Sequence, residues 1–143
     1  MNQTAVLMSI KPRYSEKILS GAKTVELRRV CPRLEVGDLV MVYASGPRMA
    51  LVGCFEVAGI VSGTPEAIFK KHGKAAAVSR EVFDAYFDGA DTAHAILISR
   101  AWSLREEAEL KTLRKRLKGF HPPQSYRYLR GTELAALSTS SRR

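Results

Sequence analysis

Short apolar runs, separated by turn residues, divide much of the chain into strand-sized segments. Such runs predict strands at residues 5–10 and 39–43, and a longer strand from 50 to about 61. Within the long segment, Gly53 and Gly59 indicate bulges or places where another part of the backbone comes close.

Polar and apolar residues alternate at residues 23–30, which is the pattern of a strand with two different faces. The alternation places the side chains of Glu26 and Arg28 on the same face. Lys23 stands at the entrance to this strand, where the strand twist can bring it toward either face. A fifth strand is predicted at 93–102.

Helical spacing occurs between these strands. Pro12 opens a helix that Gly21 ends, because proline suits a first helical turn and glycine suits the left-handed stop. Two short helices are predicted between the fourth and fifth strands. One runs over 64–72, and the other starts after Ser79 with an apolar stripe at 82–87.

The C-terminal part of the chain mixes helix and strand signals. The segment 103–106 fits a helix capping box, so a helix is predicted from there, with leucines 110, 113 and 117 on its apolar face. A short last strand follows at 125–129, and a capped helical turn at 132–137. Residues 138–143 are expected to form a flexible tail.

Five or six short strands with helices inserted at two points predict an α+β fold with a mostly antiparallel sheet. The links between strands are too irregular for repeated strand-helix-strand units, and a small β-barrel is favoured over an open sandwich. At 143 residues the chain is long enough for one independent hydrophobic core. We therefore expect a single domain at residues 1–137.

The charge balance indicates the class of partner. Lys and Arg together number 23 against 14 Asp and Glu, which gives a formal net charge of +9. Such an excess favours nucleic acids through attraction and counterion release. Charged residues interrupt every apolar run, so no membrane span is expected. With two cysteines and no signal-peptide core, the chain is expected to be cytoplasmic.

No metal or cofactor is expected from the sequence. The three histidines lack ligand spacing to one another and to Cys31 and Cys54. A phosphate-binding glycine loop and a Ser-His-Asp spacing are also missing. Two neighbouring arginines predict a lowered pKa for the Cys31 thiol.

The densest polar cluster lies at residues 21–29. The carboxylate of Glu26, held between Lys23 and Arg28, can accept from a nucleobase amino group while the cations face phosphate or carbonyl oxygens. The cations are expected to lower the pKa of Glu26, which favours binding over proton abstraction. Burial would instead raise that pKa and make Glu26 a general base, with Lys23 polarising the substrate. The alternative is a solvent-exposed strand with cross-strand ion pairs.

Gly21-x-Lys23-x-x-Glu26-x-Arg28 resembles the G-x-K-x-x-E-x-R signature of the ASCH domain, a member of the PUA-like β-barrel superfamily. The resemblance covers at least residues 5–102. Three further motifs contribute to it: Ser9-Ile-Lys-Pro12, Val36-Gly-Asp38 and Tyr43-Ala-Ser45. It implies a barrel with a cleft beside the helix at 12–19, and recognition of RNA or a modified nucleoside.

Candidate ligand-binding residues come from the signature, from the neighbouring motifs and from the segment 121–127, whose side chains suit base recognition. They are Ser9, Lys11, Tyr14, Lys23, Glu26, Arg28, Tyr43, Ser45, Gln124, Tyr126 and Arg127. A second basic cluster, on the helix predicted around 110–118, supplies candidate phosphate contacts. These are Lys111, Arg114, Lys115 and Lys118. Packing and solvation are the alternative roles for both sets.

Some ASCH relatives hydrolyse N4-acetylcytidine with a lysine, a threonine three residues later and a further glutamate. Lys23 matches that lysine, but Glu26 occupies the threonine position and no acid stands between His72 and Glu81. The departure argues against that chemistry. The sequence therefore predicts a protein that binds RNA, single-stranded nucleic acid or a nucleoside-like small molecule. The alternatives are a hydrolase of RNA or a modified nucleoside, using Lys23 and Glu26, and a regulatory protein-interaction module.

Overall fold

The computed structural model describes residues 3–137, which contain six strands and five helices. The strands are β1 (Ala5–Ile10), β2 (Val25–Arg28), β3 (Leu39–Ala44), β4 (Ala50–Gly63), β5 (Ala93–Glu109) and β6 (Tyr126–Tyr128). The helices are α1 (Pro12–Ser20), α2 (Pro65–His72), α3 (Arg80–Tyr86), α4 (Leu110–Arg116) and α5 (Gly131–Leu137). No helix in this range is long and apolar enough to cross a membrane. The tail predicted at 138–143 lies outside the described residues.

The strands form one sheet in the order β2-β5-β4-β3-β1-β6. β1 pairs with β3 in parallel, and the other pairs within the described residues are antiparallel. The sheet curls into a half-barrel, so its two edges approach each other. Two hydrogen bonds join these edges, from Arg28 to Ser125 and from the N–H of Arg33 to the hydroxyl of Tyr128. The predicted α+β fold with a mostly antiparallel, barrel-like sheet is confirmed.

Alternating side chains of the central strands fill two cores on opposite faces of the sheet. The first core contains Met8 of β1, and Ile18 of α1 packs against it. The second core contains Leu7, the neighbour of Met8, and is covered by Leu113 of α4 and Leu137 of α5. The period-two pattern of β1 therefore places one helix layer on each face.

A third core forms beneath α2 and α3, the two helices inserted between β4 and β5. Ile68 and Phe83 of these helices share a cluster with Val25 and Leu27 of β2. Because the helices cover this edge strand, all four of its residues are buried. The charged residues of β2 are consequently held out of water.

The predicted start of the C-terminal helix at Ser103 is wrong. β5 continues to Glu109, and α4 begins only at Leu110. Ser103 is paired with Gly53 and Glu109 with Ala50, so β4 holds both ends of the segment that the capping box would have turned into helix. Residues 104–107 lie at a register shift between these pairs, and the long-range pairing on either side outweighs the local signal.

Gly53 marks a close approach between α1 and the sheet. A Cβ at this position would lie 2.5 Å from Leu19 Cδ2 and 2.6 Å from the carbonyl oxygen of Trp102. The pairing of β4 with β5 is also irregular next to Gly53 and Gly59. Both glycine predictions are confirmed, and the missing side chain at Gly53 lets α1 rest on β4.

Replacing Gly53 with alanine is expected to destabilise the fold, because a backbone oxygen cannot move aside as a flexible side chain can. The expected loss is about 1–3 kcal/mol in the free energy of unfolding, measured by urea denaturation. Gly131→Ala is the control, since a Cβ at Gly131 meets no atom within 4 Å. Equal effects of the two substitutions would contradict the packing described at Gly53.

Candidate functional site

A cavity of about 800 Å³ lies between α1, β2, α3 and the loop before β6, and we call it the central cavity. The end of β1 and β2 supply its polar wall, which includes Ser9, Glu26 and Arg28. α3 supplies an apolar wall, which includes Val82 and Tyr86. Small-molecule sites in proteins have volumes of roughly 300–1,000 Å³, so the cavity is large enough for a nucleotide.

Glu26 and Arg28 form a buried ion pair in the polar wall. Their exposed fractions are 6% and 8%, and Arg28 Nη1 donates to Glu26 Oε2 over 3.2 Å. Arg28 Nη2 donates to Ser125 Oγ over 2.6 Å, and Nη1 lies 3.4 Å from the carbonyl oxygen of Ser9. These contacts hold the guanidinium between the two edges of the half-barrel.

The Nε atom of Arg28 is an unused donor. It is buried and has no hydrogen-bond partner among the residues that the structure describes. A buried donor without a partner costs free energy, and most such groups in proteins are paired. Arg28 lines the central cavity, and a ligand oxygen or ring nitrogen there is a suitable partner once the side chains that cover Nε move.

Lys23 is buried at the α1 side of the cavity, with 3% of its surface exposed. Its Nζ donates to the carbonyl oxygen of Ala76 over 2.5 Å and lies 4.9 Å from the centre of the Tyr14 ring. Gly21 ends α1 in the left-handed conformation, and the N–H of Lys23 donates back to the carbonyl oxygen of Lys17. This chain reversal directs the ammonium group into the fold.

Burial shifts the pKa values of the two central groups in opposite directions. It raises the pKa of Glu26, and the charges of Lys23 and Arg28 offset that shift only in part. It lowers the pKa of Lys23, against the opposing effect of the Glu26 charge. The expectation that the neighbouring cations give Glu26 a net lowered pKa is wrong, because removal of the carboxyl group from water outweighs their effect.

Most of the predicted ligand-binding residues line the central cavity. They are Ser9, Lys11, Tyr14, Lys23, Glu26, Arg28, Ser45 and Gln124. Glu26 and Arg28 share one face of β2, as the alternation of the strand predicts. The concave arrangement of these side chains agrees with the expected cleft beside α1.

Tyr43, Tyr126 and Arg127 do not line the central cavity. Tyr43 lies in the second core, where its ring packs on Phe120 with the centroids 6.4 Å apart. Its neighbours along β3 belong to the first core, so strand alternation turns Tyr43 away from the cavity. Arg127 forms an ion pair with Glu133 at 3.2 Å, and Tyr126 lines a second cavity.

The predicted phosphate contacts lie away from the central cavity. α4 packs against the second core, on the face of the sheet opposite to α1. Its basic residues and the turn after it are exposed to solvent: Lys111, Arg114, Lys115 and Lys118. Phosphate binding by this surface stays a prediction.

Sequence reasoning missed two parts of the cavity wall. Ser125 binds Arg28 only because the sheet edges meet, and no local pattern shows that contact. Val82 and Tyr86 belong to the apolar stripe predicted at 82–87, and each is 42% exposed and lines the cavity. Arg29 holds α3 in place, since its guanidinium donates to the carbonyl oxygen of Tyr86 at the end of that helix over 2.8 Å.

The environment of Cys31 also differs from the prediction. Burial raises the pKa of its thiol to about 11, so the nearby arginines do not activate it. Within residues 3–137, no group of three or more His, Cys, Asp or Glu side chains is placed to hold a metal ion.

The raised pKa of Glu26 predicts how stability depends on pH. Between its ordinary value of 4.5 and its native value, the folded protein keeps a proton that the unfolded chain has released. The stability contributed by Glu26 is therefore complete below pH 4.5 and is lost as the pH rises through the native pKa.

We expect the difference in free energy of unfolding between wild type and Glu26→Gln to decrease as the pH rises from about 4 to about 8. Urea denaturation at several pH values measures it. A difference that increases with pH would show that the cations set this pKa, and would contradict the dominant effect of burial.

Comparison with known proteins agrees with the geometry. The ASCH domain matches residues 8–119. A Zymomonas mobilis protein named "ASCH domain-containing ribonuclease" is 30% identical over 131 residues, which cover 92% of this chain and 88% of that relative.

Solved structures share the fold. The crystal structure of ASCH from Zymomonas mobilis is 29% identical and has a TM-score of 0.91, with 99% of this chain and 98% of that chain covered. Human THYN1, solved in complex with DNA containing 5-methylcytosine, has a TM-score of 0.59 at 13% identity and covers 99% of each chain. Because the family match spans most of the sequence and a relative matches over nearly its full length, this chain belongs to the ASCH domain family.

Proposed function

We propose that this protein binds RNA and holds one nucleotide in the central cavity. The observation that carries the proposal is the unpaired, buried Nε of Arg28 beside the buried carboxyl group of Glu26 in a cavity of nucleotide size. A donor without a partner and a desolvated acid in one wall favour a polar ligand, because such a ligand would pair groups that are otherwise left unsatisfied.

The polar wall suits the edge of a nucleobase. Glu26 can accept from an exocyclic amino group, and Arg28 can donate to a ring nitrogen or a carbonyl oxygen. Tyr14 and Tyr86 line the same cavity and supply aromatic rings for base stacking. Lys11 is exposed at the rim, where its ammonium group suits a phosphate.

Two further observations favour a nucleic acid over other polar ligands. The formal net charge of +9 attracts polyanions. The Zymomonas mobilis relative is named a ribonuclease, which makes RNA the first nucleic acid to test. The human protein of the same fold was solved with DNA, so a DNA strand of the same sequence belongs in the comparison.

Titration of labelled single-stranded RNA at several salt concentrations tests the proposal. Wild type is expected to lose affinity as salt rises, by about 0.7 logarithmic units per decade of salt for each phosphate contact. Lys23→Met removes a cation from the cavity and is expected to weaken binding about tenfold or more, because a hydrogen bond to a charged group contributes about 1.5–3 kcal/mol.

Lys71→Met is the matched control, since Lys71 is exposed on α2 and does not line the cavity. Thermal melting of both variants serves as the check that they fold. Salt-insensitive or undetectable binding by wild type would contradict the proposal, as would equal losses in the two variants.

Hydrolysis of the bound RNA is a second candidate, favoured by the name of the relative that is 30% identical over 131 residues. A general base works best when its pKa lies near the working pH, and burial raises the pKa of Glu26 in that direction. In such a reaction Glu26 takes the proton of the attacking hydroxyl group as its oxygen bonds to phosphorus. The protonated Glu26 then returns a proton to the leaving oxygen, directly or through water, as the bond between that oxygen and phosphorus breaks. Lys23 and Arg28 stabilise the negative charge that develops on the phosphate.

Incubation with the same RNA, followed by electrophoresis of the products, separates a binder from an enzyme. If the protein cleaves RNA, Glu26→Gln is expected to lower the rate about a hundredfold or more, which is the usual contribution of general base catalysis. RNA affinity should change far less than the rate. Cleavage that continues at the wild-type rate in Glu26→Gln would exclude this role, and intact RNA with wild type would leave binding alone as the function.

A further inference from the structure

A second cavity, of about 850 Å³, opens beside the central cavity, and we call it the side groove. Its walls include Arg33, Ser62, His94, Tyr126 and Tyr128. The side groove thus combines aromatic, cationic and hydrogen-bonding side chains. Binding of one nucleotide in the central cavity leaves all of them unused.

A row of side chains across the sheet connects the two cavities. Ser62 of β4 is paired with His94 of β5, and His94 is paired with Arg28 of β2. Residues directly opposite each other on paired strands project from the same face, with Cβ atoms about 5 Å apart. Since Arg28 lines the central cavity and the other two line the side groove, the row leads from one cavity into the other.

Two segments of the chain also pass through both cavities. Residues 29–30 line the central cavity, and residues 31–34 line the side groove immediately afterwards. In the same way, residues 124–125 line the central cavity, and Tyr126 and Tyr128 line the side groove. The two cavities therefore adjoin each other at two segments of the chain.

The aromatic part of the side groove is held in place. The rings of Tyr126 and Tyr128 meet edge to face, with centroids 6.0 Å apart, and Tyr128 is 48% exposed. The N–H of Arg33 donates to the Tyr128 hydroxyl over 2.7 Å, which fixes the position of this ring. An exposed ring in a fixed position is suited to stacking on a base.

The polar part of the side groove suits a sugar-phosphate backbone. Arg33 is exposed, and a guanidinium group binds phosphate oxygens well. Ser62 Oγ and His94 Nδ1 lie 2.7 Å apart and add further hydrogen-bonding atoms. Arg28 lines the central cavity and is paired across the sheet with His94 of the side groove, so a strand that occupies both cavities would pass near it.

We propose that the side groove holds the nucleotide next to the one in the central cavity. The ligand is accordingly a single-stranded oligonucleotide of at least two units and not a free nucleoside. This inference rests on the proposed binding of RNA in the central cavity, and it specifies the length and class of that ligand.

Fluorescence anisotropy with a labelled single-stranded RNA hexamer of mixed sequence tests the inference. Arg33→Gln is expected to weaken binding and to reduce the magnitude of the salt slope by about 0.7, the value for one lost phosphate contact. Tyr128→Ala is expected to weaken binding about tenfold through lost stacking. Tyr128→Phe keeps the ring but loses the hydroxyl that accepts from Arg33, so it should weaken binding less than Tyr128→Ala does.

Arg105→Gln is the control, because it removes the same charge at an exposed position that lines neither cavity. If Lys23→Met weakens binding while Arg33→Gln and Tyr128→Ala match this control, the inference is overturned and the proposed function stands. If wild type does not bind the hexamer, both are overturned. If thermal melts show that Tyr128→Ala does not fold, the salt slope of Arg33→Gln alone tests the inference, and a slope equal to that of wild type overturns it.

Discussion

The guanidinium group of Arg28 is the point on which both the half-barrel and its cavity depend. It reaches from one edge of the curled sheet to Ser125 at the other edge, and also contacts Ser9 and Glu26. Burying such a pair costs desolvation free energy, and losing one partner would leave an uncompensated charge. The interaction therefore favours a role in holding the cavity wall in one conformation over a role in stability alone.

The insert that carries α2 and α3 determines the chemistry of this wall. Without it, β2 would be an exposed edge strand, and an ion pair in water contributes little. With Ile68 and Phe83 packed on its apolar side chains, β2 is buried, and the ammonium group of Lys23 meets the carbonyl oxygen of Ala76 in the link between the two helices. Burial then raises the pKa of Glu26 and lowers the pKa of Lys23.

Features that depend on local pattern were predictable from the sequence. The apolar runs indicate β1, β3 and β4, and the alternation in β2 places Glu26 and Arg28 side by side. The failures involve residues distant in sequence. Pairing with β4 on both sides of the capping box at Ser103 keeps this segment in strand conformation. The alternation of side chains along β3 turns Tyr43 toward the second core. The direction of the Glu26 pKa shift depends on burial in the folded chain, which no motif reports.

The most direct test of the central claim is an NMR titration that follows the Nε–H group of Arg28 as RNA is added. The signal is assigned by its loss in Arg28→Lys. RNA in the central cavity would give Nε the partner that it lacks among the described residues, so its chemical shift should change in step with the binding curve. RNA binding that leaves this signal unchanged, while signals from α4 shift, would contradict the account.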